Sequence, residues 1–99
     1  MLDRMFTHAM KREHVVVICA DGRTADRVRS DVARHALNTG QVQSTRYITT
    51  ISASRGLQRL HGALMALVIV EARVTDTQMQ LARELARAGS ARLTVWDPE

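Results

Sequence analysis

Eight consecutive apolar residues at 63–70 form the longest hydrophobic run of the chain, and Glu71 follows them directly. A run of this length without alternation is typical of a parallel strand that is buried on both faces. Thr75 and Gln78 then have the spacing of a capping box, and Gly89 is suited to end the helix that follows. The chain is therefore predicted to centre on a buried strand that leads into a helix and carries a carboxylate at its tip.

A second buried strand is predicted at residues 14–20, where β-branched residues again run without interruption. Asp21 or Thr24 can cap the next helix, which the apolar spacing places at 25–37. Gly40 is suited to the left-handed position at its end.

The remaining segments have weaker patterns. Residues 41–51 alternate and contain several threonines, which predicts a half-exposed edge strand, followed by a turn at 52–54. A short helix is predicted at 55–61, and a last strand at 91–96 that Asp97 and Pro98 end. In the helix after the capping box, the residues predicted to face inward are Leu81, Ala82, Leu85 and Ala88.

An amphipathic helix or arm is predicted over 1–13, because Leu2, Met5, Phe6 and Ala9 fall on one stripe. A helix this short is marginal alone, so the stripe must dock, either on the chain's own sheet or on a second chain. Together the elements predict an α/β fold: a small three-layer sandwich with a mainly parallel sheet of about four strands and the N-terminal helix. We expect one domain over 1–99.

Composition narrows the class of protein. Cys19 is the single cysteine, so no internal disulfide forms, and this suits a reducing compartment. The N-terminus has charged residues in place of an apolar signal core, and the run at 63–70 is far shorter than the roughly 20 residues of a membrane span. We expect a soluble, cytoplasmic protein without a membrane partner.

The net charge is +4, and its distribution suggests an anion-binding surface. Arg46, Arg55 and Arg59 lie in the segment 41–62, which contains no acidic residue, and Arg23 follows the first strand. These arginines are the candidate contacts for phosphate or nucleic acid. The chain has one Phe, one Tyr and one Trp, which is a poor supply of stacking platforms for single strands.

Two carboxylates are predicted at the carboxyl tips of strands, where ligands bind in open α/β sheets: Asp21 and Glu71. The histidines and Cys19 lack the spacing of a metal site, so we expect no metal ligands and no cofactor. No nucleophile and base pair is visible either, so we expect no catalytic residues and no enzyme activity.

The strand that ends at Glu71 resembles the acidic strand of the RecA-like P-loop NTPase core found in helicases and phage terminases. The resemblance extends to three further segments: 15–21, 49–52 and 55–57. In that family an aspartate holds magnesium and a glutamate polarises water; here Val70 stands at the aspartate position and Glu71 matches the glutamate. The phosphate loop is also missing, so the resemblance implies a degenerate core that does not hydrolyse nucleotide. The same strand also resembles the start of a Toprim domain, and the tip acids resemble those of a receiver domain.

Three functions remain open from the sequence. The leading hypothesis is a non-catalytic protein, of a phage accessory type, that acts by protein–protein contact or self-assembly. Its partner is a second copy or a host or phage protein, bound through Leu2, Met5 and Phe6. The alternative is binding of nucleic acid or nucleotide phosphate through the basic segment. The third is a magnesium-dependent enzyme that uses Asp21 and Glu71.

Overall fold

The computed structural model describes residues 1–55 and 65–97. Along the chain, its helices and strands are α1 (Leu2–Met10), β1 (Val15–Cys19), α2 (Gly22–Thr39), a 3-10 helix (Val42–Tyr47), β2 (Ile48–Ser52), a 3-10 turn (Ala53–Arg55), β3 (Leu67–Glu71), α3 (Asp76–Ala88) and β4 (Arg92–Trp96). The α/β class predicted from the sequence is confirmed.

The four strands form one parallel sheet in the order β2-β1-β3-β4. Every residue of β1 and β3 is buried, as the uninterrupted apolar runs predict, and these two strands lie side by side at the centre. β2 and β4 are the two edges. Of the predicted strand at 63–70, residues 63–64 lie outside the described residues, Met65 and Ala66 precede the strand, and β3 itself runs from Leu67 to Glu71.

The sheet has helices on both faces. One core cluster joins alternate residues of β1 and β3, such as Val17 and Ile69, to α1 and α2. The other joins the intervening residues, such as Ile18 and Val70, to α3. The fold is therefore the predicted three-layer arrangement, with α1 and α2 on one side and α3 on the other.

Helix α2 is longer than the predicted 25–37, because both of its ends are well capped. The Asp21 side chain accepts a hydrogen bond of 2.7 Å from the Thr24 N–H, so Asp21 and not Thr24 is the N-cap. At the other end Gly40 has φ of +69°, the predicted left-handed conformation.

The predicted edge strand over 41–51 is wrong in its first half. A 3-10 helix occupies Val42–Tyr47, and only Ile48–Ser52 forms the strand. Local hydrogen bonds explain the difference: the Ser44 N–H donates to the Gln41 carbonyl, and the Thr45 hydroxyl donates to the Val42 carbonyl. Ser52 ends the strand, and the predicted turn becomes the 3-10 turn Ala53–Arg55. The helix predicted at 55–61 lies outside the described residues beyond this turn.

Helix α3 has the predicted capping box between Thr75 and Gln78. Ala82 and Leu85 face inward as predicted, but Ala88 is exposed and Ala86 is buried in its place. The helix ends at Gly89, yet the left-handed residue is the following one, Ser90, with φ of 54°. Leu81 is half-buried at the margin of the core.

Gly40 and Gly22 provide a matched pair for testing the α2 end. A Cβ atom added at either glycine meets nothing within 4 Å, so the two differ mainly in backbone conformation. We expect Gly40→Ala to lower the free energy of unfolding by about 1 kcal/mol, because an alanine is strained at positive φ. Gly22→Ala is expected to leave it unchanged or raise it by up to about 1 kcal/mol. Denaturant unfolding measures the free energy of unfolding of both variants. Equal losses would contradict the left-handed conformation assigned to Gly40.

Candidate functional site

The apolar stripe of α1 is buried in the chain's own core. Met5 and Phe6 are 0% and 2% exposed, and Leu2 packs against the same cluster while remaining half-buried. The Phe6 ring lies 4.7 Å from the ring of His35 on α2. The prediction that Leu2, Met5 and Phe6 form a partner surface is therefore wrong for Met5 and Phe6, because α2 and the sheet already cover them.

Two of the predicted basic residues, Arg46 and Arg23, lie at opposite ends of the sheet. Arg46 lies before β2, at the amino end of the sheet, and its guanidinium carbon is 5.4 Å from the centre of the Tyr47 ring. Arg23 lies in the first turn of α2 and Arg55 ends the 3-10 turn after β2, so the backbone of both residues is at the carboxyl end of the sheet. Arg59 lies outside the described residues. A five-residue strand about 16 Å long therefore separates Arg46 from the other two.

At the carboxyl end of the sheet, Glu71 is completely buried between the two central strands. One carboxylate oxygen accepts a hydrogen bond of 3.1 Å from the Ala20 N–H, just past β1, and the other pairs with Arg73. Arg73 also donates to the Thr24 hydroxyl at 3.1 Å. In a doubly wound sheet this position between β1 and β3 is the usual ligand crevice. Here a protein carboxylate and its arginine occupy it.

The other predicted acid, Asp21, has a structural role at the start of α2. The hydrogen bond from the Thr24 N–H holds the pKa of the Asp21 carboxyl below its usual value. Within 1–55 and 65–97, no three His, Cys, Asp or Glu side chains are grouped to hold a metal ion. Asp21 therefore caps a helix, and Glu71 binds an arginine and a backbone N–H.

Cys19 is the last residue of β1 and lies beside this carboxylate. Burial and then the charge of Glu71 raise the pKa of the Cys19 thiol from 9.0 to about 11. Because the thiolate is the reactive form, this environment makes Cys19 a poor nucleophile at neutral pH.

The edge strand β2 is protected by an arginine. Arg29 on α2 donates a hydrogen bond of 2.7 Å to the carbonyl of Thr50, in the middle of the strand, and also pairs with Asp26. A backbone carbonyl that would otherwise be available to another strand is thus already satisfied, which is one way in which proteins block sheet edges.

The opposite edge strand, β4, has no such protection among the described residues. The Arg92 N–H donates to Ala66 and the Trp96 carbonyl accepts from Ala72, so these residues bond inward to β3. By the alternation of a parallel strand, the N–H and carbonyl groups of Leu93 and Val95 point outward. Val95 is 49% exposed. This row of residues, Arg92–Trp96, is called the β4 edge below, and it is the candidate functional site.

Two grooves flank these elements. One of about 490 Å³ lies between α1, α2 and Trp96, and its charged side chains include both signs, such as Arg27 and Asp31. It therefore has no clear preference for an anion. The other, of about 420 Å³, lies between α2, the 3-10 helix and β2, with the exposed side chains of Leu37 and Val42 at its margin.

The sequence reasoning located β4 but did not recognise its residues as a site. Its alternation of polar and apolar residues distinguishes two faces of a strand and does not identify an open edge. Arg29 carried no sequence signal either, since its contact with Thr50 joins residues 21 positions apart, and the contact of Arg73 with Thr24 spans 49.

Comparison with known proteins adds no relative. No protein-family model, curated protein or solved structure matches the chain. The resemblance of the strand before Glu71 to a RecA-like core therefore stays a prediction. In the part of the chain that is described, no helix has both the length and the apolar character needed to cross a membrane.

The pair formed by Glu71 and Arg73 leads to an asymmetric prediction. Arg73→Ala leaves a buried carboxylate with one N–H donor, so we expect it to lower the free energy of unfolding by about 2 kcal/mol. Glu71→Gln keeps an acceptor for the Ala20 N–H and leaves Arg73 in contact with water. We therefore expect it to lower the free energy of unfolding by about 1 kcal/mol. Chemical denaturation measures both, with the exposed Arg83→Ala as control. A larger loss for Glu71→Gln would contradict the assignment.

The raised pKa of Cys19 predicts a protected thiol. In the folded protein at about pH 8, an aromatic disulfide reagent should react no faster than the chain unfolds, whereas denatured protein should react at once. The neutral thiol is favoured by the fold, so its stabilising contribution is present below pH 9.0 and is lost as pH rises towards about 11. Fast reaction of folded protein would contradict the buried position.

Proposed function

We propose that this chain is a non-catalytic α/β protein that acts by protein–protein contact through self-association at the β4 edge. The observation that carries the proposal is the contrast between the two edges of the sheet. Arg29 occupies the Thr50 carbonyl on β2, while the outward N–H and carbonyl groups of Leu93 and Val95 have no partner among the described residues. An open edge of this kind pairs readily with a strand of another chain.

The state of the polar groups at the strand tips supports a non-catalytic role. Both carboxylate oxygens of Glu71 are engaged, Asp21 caps α2, and the pKa of the Cys19 thiol is raised. A catalytic acid, base or nucleophile needs a free atom that faces substrate. Glu71 and Asp21 instead stabilise secondary structure, and the Cys19 side chain is buried in the core.

Binding of nucleic acid or nucleotide phosphate is the weaker proposal. Affinity for phosphates depends on clustered positive charge, and Arg46 lies at the opposite end of the sheet from Arg23 and Arg55. A role as a phage-type accessory protein stays a hypothesis. It rests on the resemblance to a terminase-like core.

Light scattering across protein concentration tests the proposal. We expect the mass to rise from 11.1 kDa towards twice that value, and the rise to persist at high salt because backbone hydrogen bonds and Val95 carry the contact. Val95→Lys should keep the chain monomeric, since a lysine on an edge strand opposes pairing. The matched control is Thr49→Lys, on the exposed part of β2, which should associate like wild type.

Circular dichroism confirms that each variant is folded before its mass is compared. A wild-type chain that stays at 11.1 kDa at every concentration would overturn the proposal. In that case a nucleic-acid titration at low salt becomes the next experiment, with loss of binding on added salt as its diagnostic.

A further inference from the structure

We infer that the partner of the β4 edge is the β4 edge of a second copy, paired antiparallel about a two-fold axis at Thr94. This inference rests on the proposed function and adds to it the identity, direction and register of the partner strand. Three properties of the edge support it: its hydrogen-bonding parity, the side chains that would face one another, and the closure of the resulting assembly.

Hydrogen-bonding parity restricts the register. The groups that point outward belong to Leu93 and Val95, because Arg92 and Trp96 bond inward to β3. In an antiparallel pair with its axis at Thr94, Leu93 of one copy lies opposite Val95 of the other, and each such pair exchanges two backbone hydrogen bonds. All five residues of β4 then have an opposing residue. If the axis lay at Leu93 or Val95, the residues at one end of each strand would have no opposing residue.

The side chains that face one another in this register are compatible. Arg92, Thr94 and Trp96 share one face of the sheet, because their neighbours in β3 are Leu67, Ile69 and Glu71. A two-fold axis perpendicular to the sheet keeps the faces matched, so Arg92 lies opposite Trp96 at both ends. A guanidinium and an indole attract each other through the ring's negative face.

On the other face, the same axis places Leu93 opposite the half-exposed Val95. Apolar cross-strand pairs of this kind are stabilising, and no two like charges are brought opposite each other. The exposed part of Val95, which the monomer leaves in water, acquires an apolar neighbour.

The two different edges of the sheet explain why such an assembly stops at two copies. Joining two β4 edges gives a continuous sheet of twice four strands, whose outer edges are both β2. In each β2 the Thr50 carbonyl is already bonded to Arg29. The two-fold contact is therefore closed, whereas a head-to-tail contact between β4 and β2 would be opposed by Arg29 and would grow without limit.

Disulfide trapping tests the register. In the inferred pair the two Thr94 residues form a non-hydrogen-bonded pair with Cα atoms about 4.5 Å apart, within reach of a disulfide. Under mild oxidation, Thr94→Cys should give a cross-linked dimer on a non-reducing gel. Leu93→Cys and Val95→Cys should each give little, because neither residue faces its own copy. The wild-type chain, whose buried Cys19 is the only thiol, is the control.

A second measurement needs no substitution. Amide hydrogen exchange of Leu93 and Val95 should slow as protein concentration rises, while the Thr94 amide, which faces β3, should be protected at every concentration.

A double variant links the two tests. Adding the Val95→Lys substitution to the Thr94→Cys variant should abolish the cross-link.

The outcomes separate the inference from the proposed function. A dimer in solution that cross-links through Leu93→Cys or Val95→Cys instead of Thr94→Cys would overturn the register. A dimer with no cross-link and no change in exchange at Leu93 and Val95 would overturn the β4 contact, and with it both the inference and the site named in the proposed function. A chain that remains monomeric would overturn the proposed function itself.

Discussion

Burial of β1 and β3 on both faces is the constraint on which the rest of this structure depends. All five residues of each strand are buried, so the sheet needs helices on both sides, and α1, α2 and α3 supply them. Fully burying a single valine or isoleucine stabilises the fold by about 1.5–3 kcal/mol, which makes these two strands its energetic centre.

In the two central strands the same constraint leaves one charged side chain, Glu71 at the tip of β3, and there it is used for structure. A buried carboxylate is costly unless it is paired and hydrogen-bonded, and Glu71 meets both conditions through Arg73 and the Ala20 N–H. Because Arg73 also contacts Thr24, this network connects β3 to β1 and to the first turn of α2. In the crevice where a sheet of this topology usually binds a ligand, the Glu71 carboxylate is thus already bound within the chain.

The sequence predicted the parts of the fold that depend on local pattern and burial. The two central strands, the capping box at Thr75 and the left-handed Gly40 follow from residue type and spacing, and all are confirmed. The segment 42–47 was misassigned because local hydrogen bonds from side chain and backbone outweighed its alternation.

The site residues were harder to predict, because they depend on tertiary position. Arginines that are close in sequence lie at opposite ends of the sheet, and an apolar stripe that suits a partner equally suits the chain's own core. The sequence predicted one half-exposed edge strand, at 41–51. It could not show that Arg29 protects the β2 edge while no such contact among the described residues protects β4. The hydrogen bond from Arg29 to the Thr50 carbonyl joins residues 21 positions apart.

The size of the β4 contact determines what kind of assembly it can support. Two hydrogen-bonded pairs give about four backbone hydrogen bonds, each with a net value of about 1 kcal/mol, and the cross-strand side-chain pairs add a few tenths to 1 kcal/mol each. Association costs several kcal/mol in lost freedom, so the surplus is small and the inferred dimer would be weak. The core residues of both clusters are buried within one copy, so each copy has a core of its own when it is alone. If the proposed contact forms, such a chain would exchange between monomer and dimer as its concentration changes.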